Sequence, residues 1–333
     1  MIIPKYKLLP WIKSDKLNSY YLSTNIHAID YLEENPHLIN WDDLSKNKYA
    51  IKILQKNLKY VNWDNLSENE GAIKILEEHQ TRINWTQLSK NINAYKLIKE
   101  NLDNPDVNEK ISWSYLSENE GMIEILKTHL DKIVWYKLCA NKSKGAIEIL
   151  EKKLSRIDWN ALSSNEYAIE LLIKNLKKIN WDNLAFNKNK NAIKLLIKTQ
   201  KINWNYLSQN INASELLENH HDSTDLNWVA LSHNINAIKI LSKKSNLKKI
   251  DFYTLSQNIN AINILYHNQT KIDYVTLACN ENIFELDKSL SLEFNSNSFK
   301  EELLCKVFNP DRIKNLTKKY NLTFNEWVTI INI

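Results

Sequence analysis

A unit of about 22 residues returns twelve times between residues 17 and 287, and no other feature limits the fold as strongly. It is clearest as Ile39-Asn40-Trp41-Asp42-Asp43-Leu44-Ser45-Lys46-Asn47, followed by the apolar set Ala50, Ile51 and Leu54. Counting from the degenerate copy 1, which has Ser19 in the slot, the opening residue of copies 2 to 12 is Trp41, Trp63, Trp85, Trp113, Trp135, Trp159, Trp181, Trp204, Trp228, Phe252 and Tyr274. A unit this short cannot bury its apolar face alone, so copies must stack into a continuous one-dimensional core.

Each copy reads as two short helices. The residue before the aromatic is Asn, Asp or Ser in every copy except at Val134. Such side chains accept from the unpaired N–H groups of a first helical turn, worth about 1 kcal/mol each. An Ile, Leu or Val precedes this cap and a Leu follows five residues later, as in Ile39 with Leu44, which is the spacing of a hydrophobic staple. Three residues after that Leu stands an Asn in all twelve copies, from Asn25 and Asn47 to Asn280. It reads either as the N-cap of the second helix or as a rung in an asparagine ladder that bonds the next copy's backbone. The second helix buries positions such as Ala50, Ile51 and Leu54 on one face.

The fold expected is therefore all-α: an α-solenoid of about twelve 22–28-residue two-helix repeats. Residues 1–16 are expected to cap one end, with Trp11 laid over it, and residues 17–287 to form the solenoid. Residues 288–298 read as a Ser/Asn linker and 299–333 as a helical C-terminal cap. At one packed helix layer per copy, the whole is expected as a curved rod on the order of 100 Å long. Three Gly and five Pro leave too few strand turns for a β-propeller or β-helix.

The remaining composition excludes more than it assigns. The net charge is +5, carried almost wholly by Lys, and falls short of a dedicated nucleic-acid domain. Cys139, Cys279 and Cys305 lie far apart without metal-ligand spacing, which suits buried thiols in a reducing compartment. No secretory segment opens the chain and no stretch approaches a membrane span, so a soluble intracellular protein without a membrane partner is expected. His220-His221-Asp222 is a single polar cluster with no second half, so no metal is expected there.

The unit Trp-x-x-Leu-Ser-x-Asn-x-x-Ala-Ile-x-x-Leu resembles the short tandem repeats of proteins encoded by giant DNA viruses of protists. There the second helix often begins Asn-Pro-Asn-Ala-Ile. Asn234-Ile235-Asn236-Ala237-Ile238 and Asn258-Ile259-Asn260-Ala261-Ile262 match it with Ile in place of Pro. Leu8-Leu9-Pro10-Trp11-Ile12 and Phe308-Asn309-Pro310-Asp311-Arg312 are similar to that family's opening and closing motifs, with Asn309 where the family has His. The resemblance implies a viral origin, in the host cytoplasm or the virion, and a helical repeat fold. It implies no activity.

Function is sought in slots that vary between copies. The two positions after the aromatic vary freely and are expected on the exposed side of the first helix. They supply Asp42, Asp43, Asp64, Gln87, Tyr115, Tyr136, Lys137, Tyr206 and Tyr253 as candidate contacts for a protein partner. A second slot, three residues before the aromatic, is basic in nine copies: Lys16, Arg82, Lys110, Lys132, Arg156, Lys178, Lys201, Lys249 and Lys271. Leu38, Tyr60 and Asp225 are its exceptions. Stacking turns this slot into a stripe able to follow a phosphate backbone, although Lys also suits the negative end of the preceding helix. No phosphate loop, nucleophile elbow or His–carboxylate helix motif is present, so neither an enzyme nor a cofactor is expected. A non-enzymatic protein-binding scaffold is the first reading, and a polyanion or nucleic-acid binder the alternative.

Overall fold

The computed structural model describes residues 5–220 and 224–287. The linker and C-terminal cap expected over 288–333, together with His221 and Asp222, lie outside them. The chain divides into a unit of Leu8–Phe284 and a second of Met1–Lys7 with Glu285–Ile333. In the latter, Asp287 N–H donates to Lys5 O at 2.9 Å, extending the pairing of strands β1 (Tyr6–Leu8) and β2 (Phe284–Leu286).

The Leu8–Phe284 unit is a stack of short helix pairs. The first helices span four to six residues, as in Trp41–Leu44 and Trp63–Glu68. Helices this short are unstable alone, so caps and packing must hold them. The eleven polar residues before the opening residue each accept from the first turn, for example Asn62 from Asp64 and Asn65 N–H. Val134 makes no such bond. The staple leucines, Leu22 through Leu277, are fully buried, as are Ala50 and Leu54 and nearly all their equivalents. Each such leucine contributes roughly 2 kcal/mol of burial. Copies 4 and 5 are separated by six residues more than the 22-residue period, and this insertion forms its own short helix, Pro105–Asn108, capped by Asn104. Copies 6 and 8 carry two more residues than the others between the Asn and the Ala, and these supply new caps, Ser143 and Asn189, for the longest second helices, Lys144–Glu151 and Lys190–Thr199.

Eleven of the twelve asparagines act in both of the ways their spacing suggested, Asn141 serving only as a rung, and the rungs run in the opposite direction along the chain. Asn91 Oδ1 accepts from Asn93 N–H at 3.0 Å, opening the turn into the second helix. Its amide donates backwards, to Ser67 O at 3.2 Å and Asn69 O at 2.8 Å in the preceding copy. The α-helix proper starts later, at Tyr95, with Ala94 in the cap position and no side-chain cap. The buried serines form a parallel ladder: Ser67 Oγ donates to Trp63 O and accepts from Asn84 N–H of the next copy at 3.0 Å. Cys139 fills one serine slot, and burial pushes its thiol up to about 11.

The ladder also shows that the expected rod has no ends. The Asn25 amide of copy 1 donates to Ala278 O and Asn280 O of copy 12, both at 3.0 Å. Nine of the other eleven copies make the same pair of bonds to their predecessor, and Asn69 and Asn141 make one of the two, so the stack closes into a ring. Twelve copies returning to their start turn about 30° each, and that per-copy rotation sets the curvature. Leu9 N–H donates to Ile283 O at 2.9 Å, and the Lys16 ammonium lies 5.6 Å from the Tyr274 ring centre. Trp11 does not cover a free end; it packs edge-on against Tyr266 of copy 11 at 5.5 Å. First helices of neighbouring copies pack directly, whereas second helices stand farther apart. An open groove of about 530 Å³ between Ile147, Glu151, Tyr167 and Glu170 marks one such gap. In a closed ring the tighter layer has the shorter circumference, so the first helices form the inner wall.

Candidate binding surfaces

The two variable positions after the opening residue do not share one environment. The first is exposed in nearly every copy, but the second faces the neighbouring copy, and Asp43, Ala230 and Thr276 are buried. The expectation that both positions face solvent is therefore corrected. The second position is a joint. Asn65 donates to Asp42 O at 2.8 Å, Asn183 to Asn160 O at 2.9 Å and Thr276 to Tyr253 O at 2.9 Å. Burial raises the Asp43 carboxyl above its ordinary range, partly opposed by Lys46.

The individual candidates follow this division. Asp42 and Asp64, although exposed, accept from the cap amides of Asn62 and Asn84 in the following copies at 2.7 and 2.9 Å. Gln87 accepts from Lys90, whose ammonium also lies over the Tyr115 ring. Lys137 is held by Glu118 at 2.7 Å, which raises its pKa. Tyr206 leans on Phe186. Tyr136 and Tyr253 keep 54% and 53% of their surface open.

Closure creates a grouping that a linear reading separates. Val229, Tyr253, Val275 and Tyr20 hold the exposed position in copies 10, 11, 12 and 1, with 53%, 53%, 44% and 50% of their surface open. In a rod, Tyr20 and Val275 would sit at opposite ends. In the ring they are neighbours across the seam, and four adjacent first helices present one apolar arc. The signal in the sequence was the shared slot; the adjacency was not legible until Asn25 met Ala278.

The basic slot has a structural partner. Lys16, Arg82, Lys201, Lys249 and Lys271 lie over Tyr274, Trp63, Trp181, Trp228 and Phe252, the opening aromatic of the preceding copy, at 4.5 to 5.6 Å. The exceptions obey the same geometry. Leu38 follows copy 1, which has Ser19 and no ring to cover. Tyr60 stacks on Trp41 at 4.9 Å, and where Asp225 holds the slot, Trp204 is covered by His220 at 3.6 Å. A cation over an aromatic face keeps its charge. Lys110, Lys132, Arg156 and Lys178 are exposed, and among the described residues no cation of the slot pairs with a carboxylate.

The opposite edge of the ring, where the chain leaves the first helices, is different. There Lys46 and Lys90 both reach Glu68, at 3.4 and 3.1 Å, and Lys48 reaches Glu70 at 3.0 Å. Among the described residues no three His, Cys, Asp or Glu side chains converge as a metal site, and no helix is long and apolar enough to cross a membrane. Compared with known proteins, the chain matches no family model, no curated protein and no solved structure.

Proposed function

We propose that this chain is a non-enzymatic ring scaffold that binds a protein partner on its inner wall, of the viral repeat class it resembles and acting in a host cell. The observation that carries the reading is the apolar arc of Tyr20, Val229, Tyr253 and Val275. Scattered exposed apolar residues are ordinary, but a contiguous set on a rigid layer is what a partner surface covers. Two of its members are tyrosines, whose broad rings lose little side-chain entropy on contact and whose hydroxyls still find polar partners. The asparagine and serine ladders fix the backbone beneath the arc, so binding requires little reordering.

The test is capture from host lysate with the wild-type chain and a Tyr20→Ser, Tyr253→Ser variant, with nuclease and at two salt concentrations. The reading predicts a defined protein that resists salt and nuclease and is lost with the variant. Material that disappears on nuclease treatment, or that both chains capture equally, rejects it.

A further inference from the structure

On the edge where the chain passes from second helices to first helices, four consecutive joints share an amphiphilic character. Leu130, Leu154 and Leu176 begin the 3-10 turns that end in Lys132, Arg156 and Lys178. They keep 42%, 48% and 46% of their surface open, and Ile173 and Ile197, late in their second helices, keep 45% and 48%. Around these five aliphatic side chains stand exposed Lys132, Lys152, Lys153, Arg156, Lys177, Lys178, Lys198 and Lys201. Among the described residues none of these eight cations pairs with a carboxylate. The exposed acids beside the patch are Asp131, Glu151, which lies 3.9 Å from Lys174, and Asp182 and Asp225, which line one groove with Lys201.

We infer that this edge docks on the surface of a bilayer containing anionic lipid. Covering the preceding aromatic does not by itself require a charge, since Tyr60 and His220 do it with flat rings. Nor does it account for leucines turned outward beside the cations. A lipid interface accepts both: anionic headgroups attract cations near the surface, and aliphatic side chains enter the acyl boundary. A nucleic-acid strand would use the cations and leave the aliphatic groups in water. Four neighbouring joints at about 9 Å per packed layer spread the patch over roughly 30 Å, so all of it meets a flat surface at once. Such docking needs no spanning helix, and it leaves the inner arc free.

The test is co-sedimentation of the full chain with phosphatidylcholine vesicles, with and without phosphatidylserine, beside anisotropy with a single-stranded oligonucleotide. Binding is expected to the phosphatidylserine vesicles, weakening steeply with salt. Leu130→Ser, Leu154→Ser, Leu176→Ser should weaken it at least tenfold, because three apolar side chains that enter the acyl boundary become polar. These leucines are exposed, so the thermal midpoint should hold. Lys177→Gln, Lys178→Gln, Lys201→Gln should flatten the salt dependence, whereas Lys46→Gln, Lys48→Gln, Lys90→Gln, with the same charge change on the opposite edge, should not. No binding to phosphatidylserine vesicles, or binding indifferent to the leucines, overturns the proposal. Tight binding of the oligonucleotide without vesicle binding assigns the edge to nucleic acid instead.

Discussion

Asn187 is fully buried, and its amide holds Ser163 O at 3.0 Å and Asn165 O at 2.8 Å while its Oδ1 accepts from Asn189 N–H. Asn187→Ala would remove three hydrogen bonds, stranding Ser163 O and Asn189 N–H while Asn165 O keeps Ala168 N–H, each bond being worth about 1 kcal/mol net. The expected loss is therefore about 2–3 kcal/mol. A urea titration reads it; a loss below about 0.5 kcal/mol would mean that the ladder is incidental. Asp43 offers the opposite case. Its Oδ2 is buried without a partner, and its pKa is raised by burial. A carboxyl whose folded pKa is raised binds its proton more tightly when folded. Its stabilising effect is then full below the unfolded pKa and is lost as pH rises through the folded one. Asn65 and Asn183 show that an amide in this slot reaches the previous copy's carbonyl. Asp43→Asn should thus raise the melting temperature at neutral pH, with the gain shrinking toward the ordinary carboxylate range. A gain independent of pH would argue against burial of the charge as its cause.

At the scale of the element, Val134 is the one opening helix position without a side-chain cap. Val134→Asn should stabilise the chain by about 0.5–1 kcal/mol, checked by denaturant midpoint. No gain would indicate that the Lys137 to Glu118 pairing and neighbouring contacts already hold that turn. The helices, their caps and the staple leucines were legible in sequence because each is set within six residues by local hydrogen bonding and burial. The ladder was legible as a pattern but ambiguous as chemistry, since a cap and a rung need the same amide. What the pattern concealed was direction and reach. A second set of rungs, in which Asn93, Asn236 and Asn260 donate to Glu70 O, Ile211 O and Ile235 O, was visible only as the recurring Asn-Ile-Asn. The candidate site was less legible still. Slot comparison separates variable from invariant positions, yet Asp42 and Asp43 vary in the same way while one is exposed and the other is buried between copies.

The ring as a whole has one joint unlike the others. Eleven joints are crossed by the covalent chain, whereas copies 12 and 1 meet through non-covalent contacts alone. Ala278 holds the serine slot there, so the cap N–H of Asn18 lacks the Oγ that Ser67 offers Asn84. The seam instead has the Asn25 bonds, the contact of His27 Nδ1 with Glu281 O, and Lys16 over Tyr274. Repeat stacks gain stability from each interface in turn, so losing equal bonds at two joints should cost similar free energy. The structural consequence should differ. Asn25→Ala with Lys16→Ala weakens the joint that nothing covalent holds, and the ring should open. Asn187→Ala lies inside the stack, and its neighbours remain tethered. Dyes at positions 20 and 275 would report the difference: transfer efficiency should fall in the seam variant and stay at the wild-type value in Asn187→Ala. Equal efficiency in all three chains would show that closure rests on contacts other than the Asn25 rung and the Lys16–Tyr274 pair. A matching Ala278→Ser change should have the reverse effect, supplying the missing acceptor and raising stability by about 1 kcal/mol. Because the apolar arc of Val229, Tyr253, Val275 and Tyr20 exists only while the seam is shut, the opened variant should also lose the inner-wall partner. The outward-facing edge of Leu130, Leu154 and Leu176, built within copies 5 to 8, should keep its vesicle binding.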